Sequence, residues 1–463
     1  MAKTRVVHAC IECGTSHPKW AGQCSGCGAW NTLVEELTAP PEATTADSSS
    51  APSTPVLIGD VDTQIGRPQP TGIGELDRVL GGGIVPGSVT LLGGEPGIGK
   101  STLLLQLLAW WPATTLYVSA EESAQQVRLR AERLGAVRPD LWLLAATAVP
   151  DIVAAIDEIR PALVVVDSIQ AVADPTLGSP PGSVVQVRAC AHRLVVEAKR
   201  RGVPVVIVGH VTKDGGLAGP RVLEHVVDTV LSFEGDRHHS LRMLRATKHR
   251  FGPTDELGLF EMAAGGLVGV PDPSALFLAD RRVGIAGSAV APTIEGKRPM
   301  VVEVQALTAA APCDAPARRT SQGIDGGRLA LLLAVLQQRA RQPVGNVDVY
   351  VSTVGGVRLV EPGLDLAVCM AVVSALTFRP MPADLAVFGE VGLGGELRQV
   401  GHTRRRLTEA ARLGFRRAIV PGNSPNGVEG IQMLRVATLA EALAVAGLAS
   451  DDEPPRGVRS RAQ

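Results

Sequence analysis

Residues 94–101 read Gly94-Glu95-Pro96-Gly97-Ile98-Gly99-Lys100-Ser101, and Thr102 follows. The run Ser88-Val89-Thr90-Leu91-Leu92 ahead of it has the make-up of a short buried strand. Residues Thr102 to Leu108 behind it form the first turns of an apolar-faced helix. Strand, glycine-rich loop and helix together are the context in which this spacing binds phosphate. The glycines let successive backbone N–H groups point inward, and the helix N-terminus adds its positive end. Lys100 has the reach for the β- and γ-phosphates, and the Ser101 hydroxyl suits Mg²⁺. The chain is expected to bind ATP with Mg²⁺.

Composition limits what surrounds that loop. The 463 residues predict two or three domains at about 150 residues each. A hydrophobic content of 45% is ample for packed cores, yet no apolar run reaches the ~18 residues of a membrane span. Cys, His and Glu interrupt the N-terminus, so no leader pattern is present and a cytoplasmic, membrane-free protein is expected. A net charge of −1 argues against bulk electrostatic capture of nucleic acid and leaves room for a local basic surface. With 3% aromatic residues, extensive stacking on bases is not expected. Seven cysteines without a secretory context indicate metal or thiol chemistry.

Four of those cysteines form two knuckles, Cys10-x-x-Cys13 and Cys24-x-x-Cys27, followed by Gly14 and Gly28. Each turn can aim two thiolates at one tetrahedral Zn²⁺. The segment is too short to bury a core, so the metal would supply its folding energy. Cys190, Cys313 and Cys369 have no partners at ligand spacing and are expected as buried small residues.

The chain then divides by composition. Residues 1–36 are the zinc module, and 37–56, rich in Pro, Ala, Ser and Thr, are a flexible linker. From 57 to 270, short Val/Ile/Leu runs alternate with helical patterns, which predicts an α/β fold with a mostly parallel sheet covered on both faces. Thr115–Ser119, Leu163–Asp167 and Val205–Gly209 are the clearest strands, and Leu241–Lys248 a later one near the sheet edge. Residues 275–447 mix strands with helices such as Arg328–Gln338, an α+β domain clearest from 346. Residues 448–463 are polar and expected to be disordered.

Asp167 ends the hydrophobic strand Leu163–Val166, a position from which a carboxylate holds the Mg²⁺ shell. Glu121 and Glu122 follow Leu116–Ser119 and so belong at the same sheet edge, where one carboxylate can orient the attacking water. Either is also suited to the first turn of a helix, whose dipole favours a negative charge there.

Three segments now carry a resemblance: Thr71-Gly72-Ile73-Gly74-Glu75-Leu76-Asp77-Arg78-Val79-Leu80-Gly81-Gly82-Gly83, the phosphate loop, and Tyr117-Val118-Ser119-Ala120-Glu121-Glu122-Ser123. Together they resemble the RecA-type ATPase core. With the four-cysteine module and Lys248-His249-Arg250-Phe251-Gly252, the likeness narrows to the bacterial RadA/Sms family of recombination and repair ATPases, from Cys10 to about Gly447. The family usually has Asn where this chain has His249. The resemblance implies that Glu121 is the water-orienting carboxylate, with Glu122 the alternative. It implies that Lys248 and Arg250 face the nucleotide of a neighbouring subunit. It also implies two DNA-facing loops, Asp174–Ser183 and the stretch after Val205–Gly209, where Lys213 and Arg221 meet phosphates.

Residues Asn346 to about Gly447 resemble the proteolytic domain of Lon through Asp348–Ser352, Glu361–Ala367 and Phe388–Glu396. Asp365 stands where Lon places its nucleophilic serine, and Arg404, to within a residue or two, where it places the activating lysine. A carboxylate forms no acyl-enzyme, and an arginine stays protonated. The domain is therefore expected to be a scaffold. It also carries Arg398, Arg404, Arg405, Arg406, Arg412, Arg416 and Arg417 against Glu409, a cationic face suited to DNA phosphates, with Arg404, Arg405 and Arg406 at its centre.

The expected function is a DNA-dependent ATPase, assembled as a hexameric ring or short filament, that promotes branch migration and strand exchange. Its expected partners are single-stranded and branched DNA and a RecA-type recombinase. The rival readings are a Lon-type ATP-dependent protease or unfoldase and a KaiC-like regulatory ATPase.

Overall fold

The computed structural model describes residues 5–10, 15–26, 28, 30–38, 57–60, 66–210, 223–235, 241–311, 316–354 and 361–449. It divides into two compact units, Met1–Pro271 and Asp272–Gln463. In the first, β1 (Arg5–Cys10) is flanked by β2 (Ser16–His17) and β3 (Leu33–Thr38), both antiparallel to it. Among the described residues Cys10, Cys24 and Leu33 are buried together there, with Ala21 packed beside them.

The rest of this unit is built on nine strands: β4 (Val89–Gly94), β5 (Thr115–Ser119), β6 (Leu141–Ala145), β7 (Leu163–Asp167), β8 (Val205–His210), β9 (Thr229–Glu234), β10 (Leu241–His249), β11 (Leu257–Ala263) and β12 (Gly266–Gly269). Their order is β12-β11-β10-β9-β4-β8-β7-β5-β6. Pairing is parallel from β9 to β6 and antiparallel from β9 out to β12. The apolar run of β7 shows why both faces are covered. Leu163 and Val165 pack with helices Lys100–Trp110 and Ala124–Arg133 on one side. Val164 and Val166 pack with Val149–Ile159 and Val184–Arg201 on the other. A strand buried on both faces has no polar alternation to show, so its sequence reads as a continuous hydrophobic run.

After β4 the chain passes through helix Lys100–Trp110 to β5, which lies beyond β8 and β7. Such a crossover opens a crevice at the carboxyl ends of the strands. Ser119 on β5 and Asp167 on β7 are direct register partners there.

The second unit has seven further strands in one sheet: β13 (Ser288–Glu295), β14 (Arg298–Ala310), β15 (Arg319–Gln322), β16 (Val347–Thr353), β17 (Leu385–Val387), β20 (Arg417–Pro421) and β21 (Gln432–Val436). Their order is β15-β16-β14-β13-β17-β20-β21. A separate hairpin joins β18 (Glu390–Val391) to β19 (Leu397–Arg398). Helix Asp365–Thr377 is buried from Asp365 to Ala375. Among the described residues no helix is long and apolar enough to cross a membrane.

Candidate functional site

The phosphate loop needs glycine for steric reasons that can be named. A Cβ on Gly94 would sit 2.5 Å from the Phe233 carbonyl oxygen of β9, and Gly99 has φ +116°, in the left-handed region. Helix Lys100–Trp110 starts at once, so its first N–H groups have no intrahelical acceptor and are available to an anion. The Ile98 side chain is buried, and its carbonyl accepts a hydrogen bond from Arg242 Nε of β10 at 3.2 Å. Glu95, Pro96 and Gly97 are exposed, while Ser101 and Thr102 are half-buried.

Lys100 is buried, and its ammonium donates to the carbonyls of Gly94 at 2.8 Å and Glu95 at 2.9 Å. Burial pulls its pKa below the ordinary lysine value, opposed by the negative charges of Asp167, Glu121 and Glu95. Ser101 Oγ donates to Asp167 Oδ2 at 2.6 Å, and the Tyr117 hydroxyl donates to the same oxygen at 2.7 Å. Burial first, and Asp167 second, push the Tyr117 phenol far above its usual range, so it remains a donor. The hydroxyl and carboxylate expected around Mg²⁺ are thus already in contact, a donor set of hard oxygens that fits that ion.

The two glutamates after β5 have different fates. Glu121 Oε1 accepts a hydrogen bond from Ser168 Oγ. Glu122 is gripped by Arg130, Nη1 to Oε2 at 2.8 Å and Nη2 to Oε1 at 2.7 Å. With the phosphate loop, Ser119, Arg133 and Asp167 they line one cleft of about 420 Å³. Sequence reading had not assigned roles to Tyr117, Arg130, Arg133 or Ser168. Arg130 and Arg133 are three apart on the helix capped by Ser123, a spacing that puts them on one face. That spacing was legible; what it faced was not.

The Lys248–Gly252 segment leaves the end of β10. Lys248 is half-buried, with its ammonium donating to the carbonyls of Glu224 and of Val227, the latter at 2.8 Å. Arg250 is exposed, 3.2 Å from Asp228 Oδ1. His249 lies between Thr229 Oγ1, 3.0 Å from Nδ1, and the Leu80 carbonyl, 3.2 Å from Nε2. Since a carbonyl only accepts, Nε2 carries the proton and Nδ1 accepts from the threonine. Burial lowers the His249 pKa. Lys213 and Arg221 lie outside the described residues.

The arginine cluster is corrected. Arg406 is 2% exposed. It pairs with both oxygens of Glu361, donates to the carbonyls of Pro292 at 3.0 Å and Gly401 at 2.8 Å, and stacks over Phe388. A guanidinium so enclosed is not a DNA contact. The fold also brings up carboxylates distant in sequence, Asp272 to Arg412 and Asp384 to Arg417, while the nearby Glu390 and Glu396 pair with Arg398. Arg404, Arg405 and Arg416 remain exposed.

Arg406 instead lies beside the segment that leads into Asp365, since its Nη1 would lie 3.1 Å from a Cβ on Gly363, two residues before it. Asp365 is buried and bidentately paired with Arg328, Nε to Oδ1 at 3.0 Å, and its Oδ2 accepts the Val391 N–H at 3.1 Å.

In the N-terminal sheet Cys10 and Cys24 are buried, and Cys24 Sγ accepts from the Gly26 N–H at 3.3 Å. An N–H turned onto sulfur suits a thiolate ligand. His17 Nε2 is 3.6 Å from the same sulfur. Cys13 and Cys27 lie outside the described residues, as does Cys313, whereas Cys190 and Cys369 are fully buried.

Comparison with known proteins covers the same three regions. An AAA domain model matches residues 60–216, a rubredoxin metal-binding domain matches 8–35, and the Lon protease C-terminal proteolytic domain matches 344–442. The chain is 49% identical over 456 residues to the DNA repair protein RadA of Bacillus subtilis, covering 96% of this chain and 99% of that one. It is 48% identical over 449 residues to the RadA proteins of Mycobacterium tuberculosis and Pseudomonas aeruginosa, over 96% of this chain and 93% and 99% of theirs. A KaiC-like protein of Pyrococcus horikoshii aligns over 44% of this chain and 99% of its own at 19% identity and a TM-score of 0.38, too distant to support any argument.

Proposed function

The chain belongs to the bacterial RadA family of DNA repair ATPases, and from that premise we propose that it is a DNA-dependent ATPase driving branch migration and strand exchange at recombination intermediates. The observation that carries the reading is the cleft itself. Ser101 and Asp167 are in contact on the metal side, Lys100 stands at the phosphate loop, and Glu121 lines the same cleft, where it accepts from Ser168.

Ser101 and Asp167 would hold Mg²⁺ bound with ATP, which would supply neutralisation of phosphate charge there. Lys100, whose ammonium donates to the loop carbonyls, turns to the β- and γ-phosphates when nucleotide binds. Glu121 orients the water, and Asp167 is held in place from behind by Tyr117. Arg250, exposed at the end of β10, is the better of the two cations for a neighbouring subunit, because Lys248 is engaged by its own chain. Such a site requires a homo-oligomer, which we take to be a hexameric ring in the cytoplasm, with single-stranded and branched DNA and a RecA-type recombinase as partners. Phosphate contacts fall to Arg404 and Arg405, with Lys213 and Arg221, and zinc to Cys10, Cys13, Cys24 and Cys27.

The Lon-type protease reading is disfavoured by Asp365 locked to Arg328. The test measures ATP turnover with and without single-stranded DNA, together with casein cleavage. DNA stimulation without cleavage is the expected result; turnover indifferent to DNA overturns the coupling.

A further inference from the structure

Asp228 is a buried carboxylate just ahead of β9, level with the opening residue of β4. Its N–H donates to the Val89 carbonyl at 3.0 Å, and its Oδ2 accepts the Val89 N–H at 3.1 Å. Its remaining groups turn to Arg250. Oδ1 accepts from the guanidinium at 3.2 Å, with Lys199 Nζ 3.7 Å away, and the Asp228 carbonyl accepts the Arg250 N–H at 3.2 Å. Lys248 braces the same segment, since the two carbonyls it holds, of Glu224 and Val227, belong to the turn that leads into Asp228. Arg250 therefore sits at the amino end of β4, whereas the phosphate loop begins at its carboxyl end. The five steps from Val89 to Gly94 span roughly 16 Å at about 3.3 Å per residue. An arginine side chain does not cover that distance, so Arg250 does not serve the nucleotide of its own chain.

We propose that Asp228 is a positioning residue that presents Arg250 to the nucleotide of the neighbouring subunit, with Lys248 acting within its own chain as the brace of the turn before it. The proposal rests on reading Arg250 as a cation that acts across the subunit boundary. Three features support it. The carboxylate is 3% exposed, so water competes little for its bond to Arg250, whose own side chain is half exposed. Asp228 also engages Arg250 at main chain and side chain together, which fixes both the origin and the direction of a long side chain. Less freedom is then left to lose when that side chain meets a phosphate. Finally, Arg250 is held at Nη1 and makes no other side-chain hydrogen bond or ion pair among the described residues, so the rest of its fork remains for an anion.

A positioning role across a subunit boundary predicts a specific pattern in the full-length protein. Asparagine at 228 keeps one oxygen for the Val89 N–H and sets its NH₂ against the guanidinium. Asp228→Asn should lower kcat about 10-fold and leave the KM for ATP within about twofold, since the chain's own phosphate loop is untouched. The double variant with Arg250→Ala should be no slower than Arg250→Ala alone, because Asp228 acts only through that side chain. Mixing separates positioning from support of the fold. An Asp228→Asn chain has a sound phosphate loop and a misdirected cation, and a Lys100→Ala chain has the reverse. Co-assembled in equal amounts they form some interfaces that join the two sound halves, and turnover should rise about two- to threefold over Asp228→Asn alone, where dilution would only lower it. Size-exclusion chromatography and a thermal melt report whether each variant folds and assembles. If the asparagine variant does not, Asp228→Glu, which displaces the charge by one methylene, carries the same measurements. The proposal is overturned if Asp228→Asn turns over at the wild-type rate while Arg250→Ala is slow, if the two losses multiply, or if Lys100→Ala chains rescue Arg250→Ala but not Asp228→Asn. Rescue of neither, or full turnover of Arg250→Ala, would instead remove the underlying reading of Arg250.

Discussion

Arg130 holds Glu122 by two parallel hydrogen bonds of 2.7 and 2.8 Å, whereas its neighbour Glu121 accepts from Ser168. Glu121→Gln should reduce ATP turnover about 10²- to 10⁴-fold, the range for losing a proton-handling group, with ATP binding retained. Glu122→Gln should change turnover less than tenfold and show itself in thermal stability, since it leaves Arg130 half-paired. Steady-state kinetics on both variants decides the assignment, and a block confined to Glu122→Gln reverses it.

The corrected arginine cluster separates two kinds of loss. Arg404→Ala with Arg405→Ala should weaken DNA binding about equally for all sequences. It should also flatten the log–log salt dependence by roughly 0.7 to 0.9 per phosphate contact removed. Arg406→Ala removes a buried guanidinium, leaves the half-buried Glu361 with only the Thr293 hydroxyl and the Ile294 N–H among its described partners, and should cost about 3 kcal/mol of stability in a denaturant melt. An Arg406→Ala protein of wild-type stability and reduced DNA affinity would contradict the burial argument.

His249 gives a pH dependence whose sign follows from its environment. Burial lowers its pKa below the ordinary 6.5, so the folded chain binds the proton less readily than the unfolded one. Its contribution to stability is complete above about pH 6.5 and is lost as pH falls from there toward the lowered value. His249→Asn does not titrate, so the gap in melting temperature between pH 7.5 and 5.5 should shrink in that variant. An unchanged gap would show that other groups set the acid limb.

Metal content tests the N-terminal unit. Wild-type protein should carry about one equivalent of zinc, and Cys24→Ser close to none, by atomic absorption of chelator-treated and untreated samples. Retention of a full equivalent by Cys24→Ser excludes the buried Cys24 thiolate as a ligand.

How far the sequence could be read depended on how local the information was. The phosphate loop, the strand ending at Asp167 and the pair of CxxC knuckles are contiguous, and each states its chemistry through spacing. The hydrophobic runs of β4, β7 and β8 announced a sheet covered on both faces. What could not be read were contacts between distant segments. Arg406 looked like its neighbours Arg404 and Arg405, and only the approach of Glu361 and Phe388 distinguishes it. Ser168 looked like any residue after a strand until β5 brought Glu121 beside it. Likewise Arg412 and Arg417 appeared unopposed because Asp272 and Asp384 come to them through the fold rather than along the chain.

The Arg328–Asp365 pair ties two positions that lie on different helices. Replacing Asp365 by serine removes the buried carboxylate that Arg328 grips with two nitrogens and leaves a half-buried guanidinium whose remaining described acceptor is the Val391 carbonyl. A hydroxyl at 365 therefore calls for a matched replacement at 328, so the two positions change together more readily than either changes by itself.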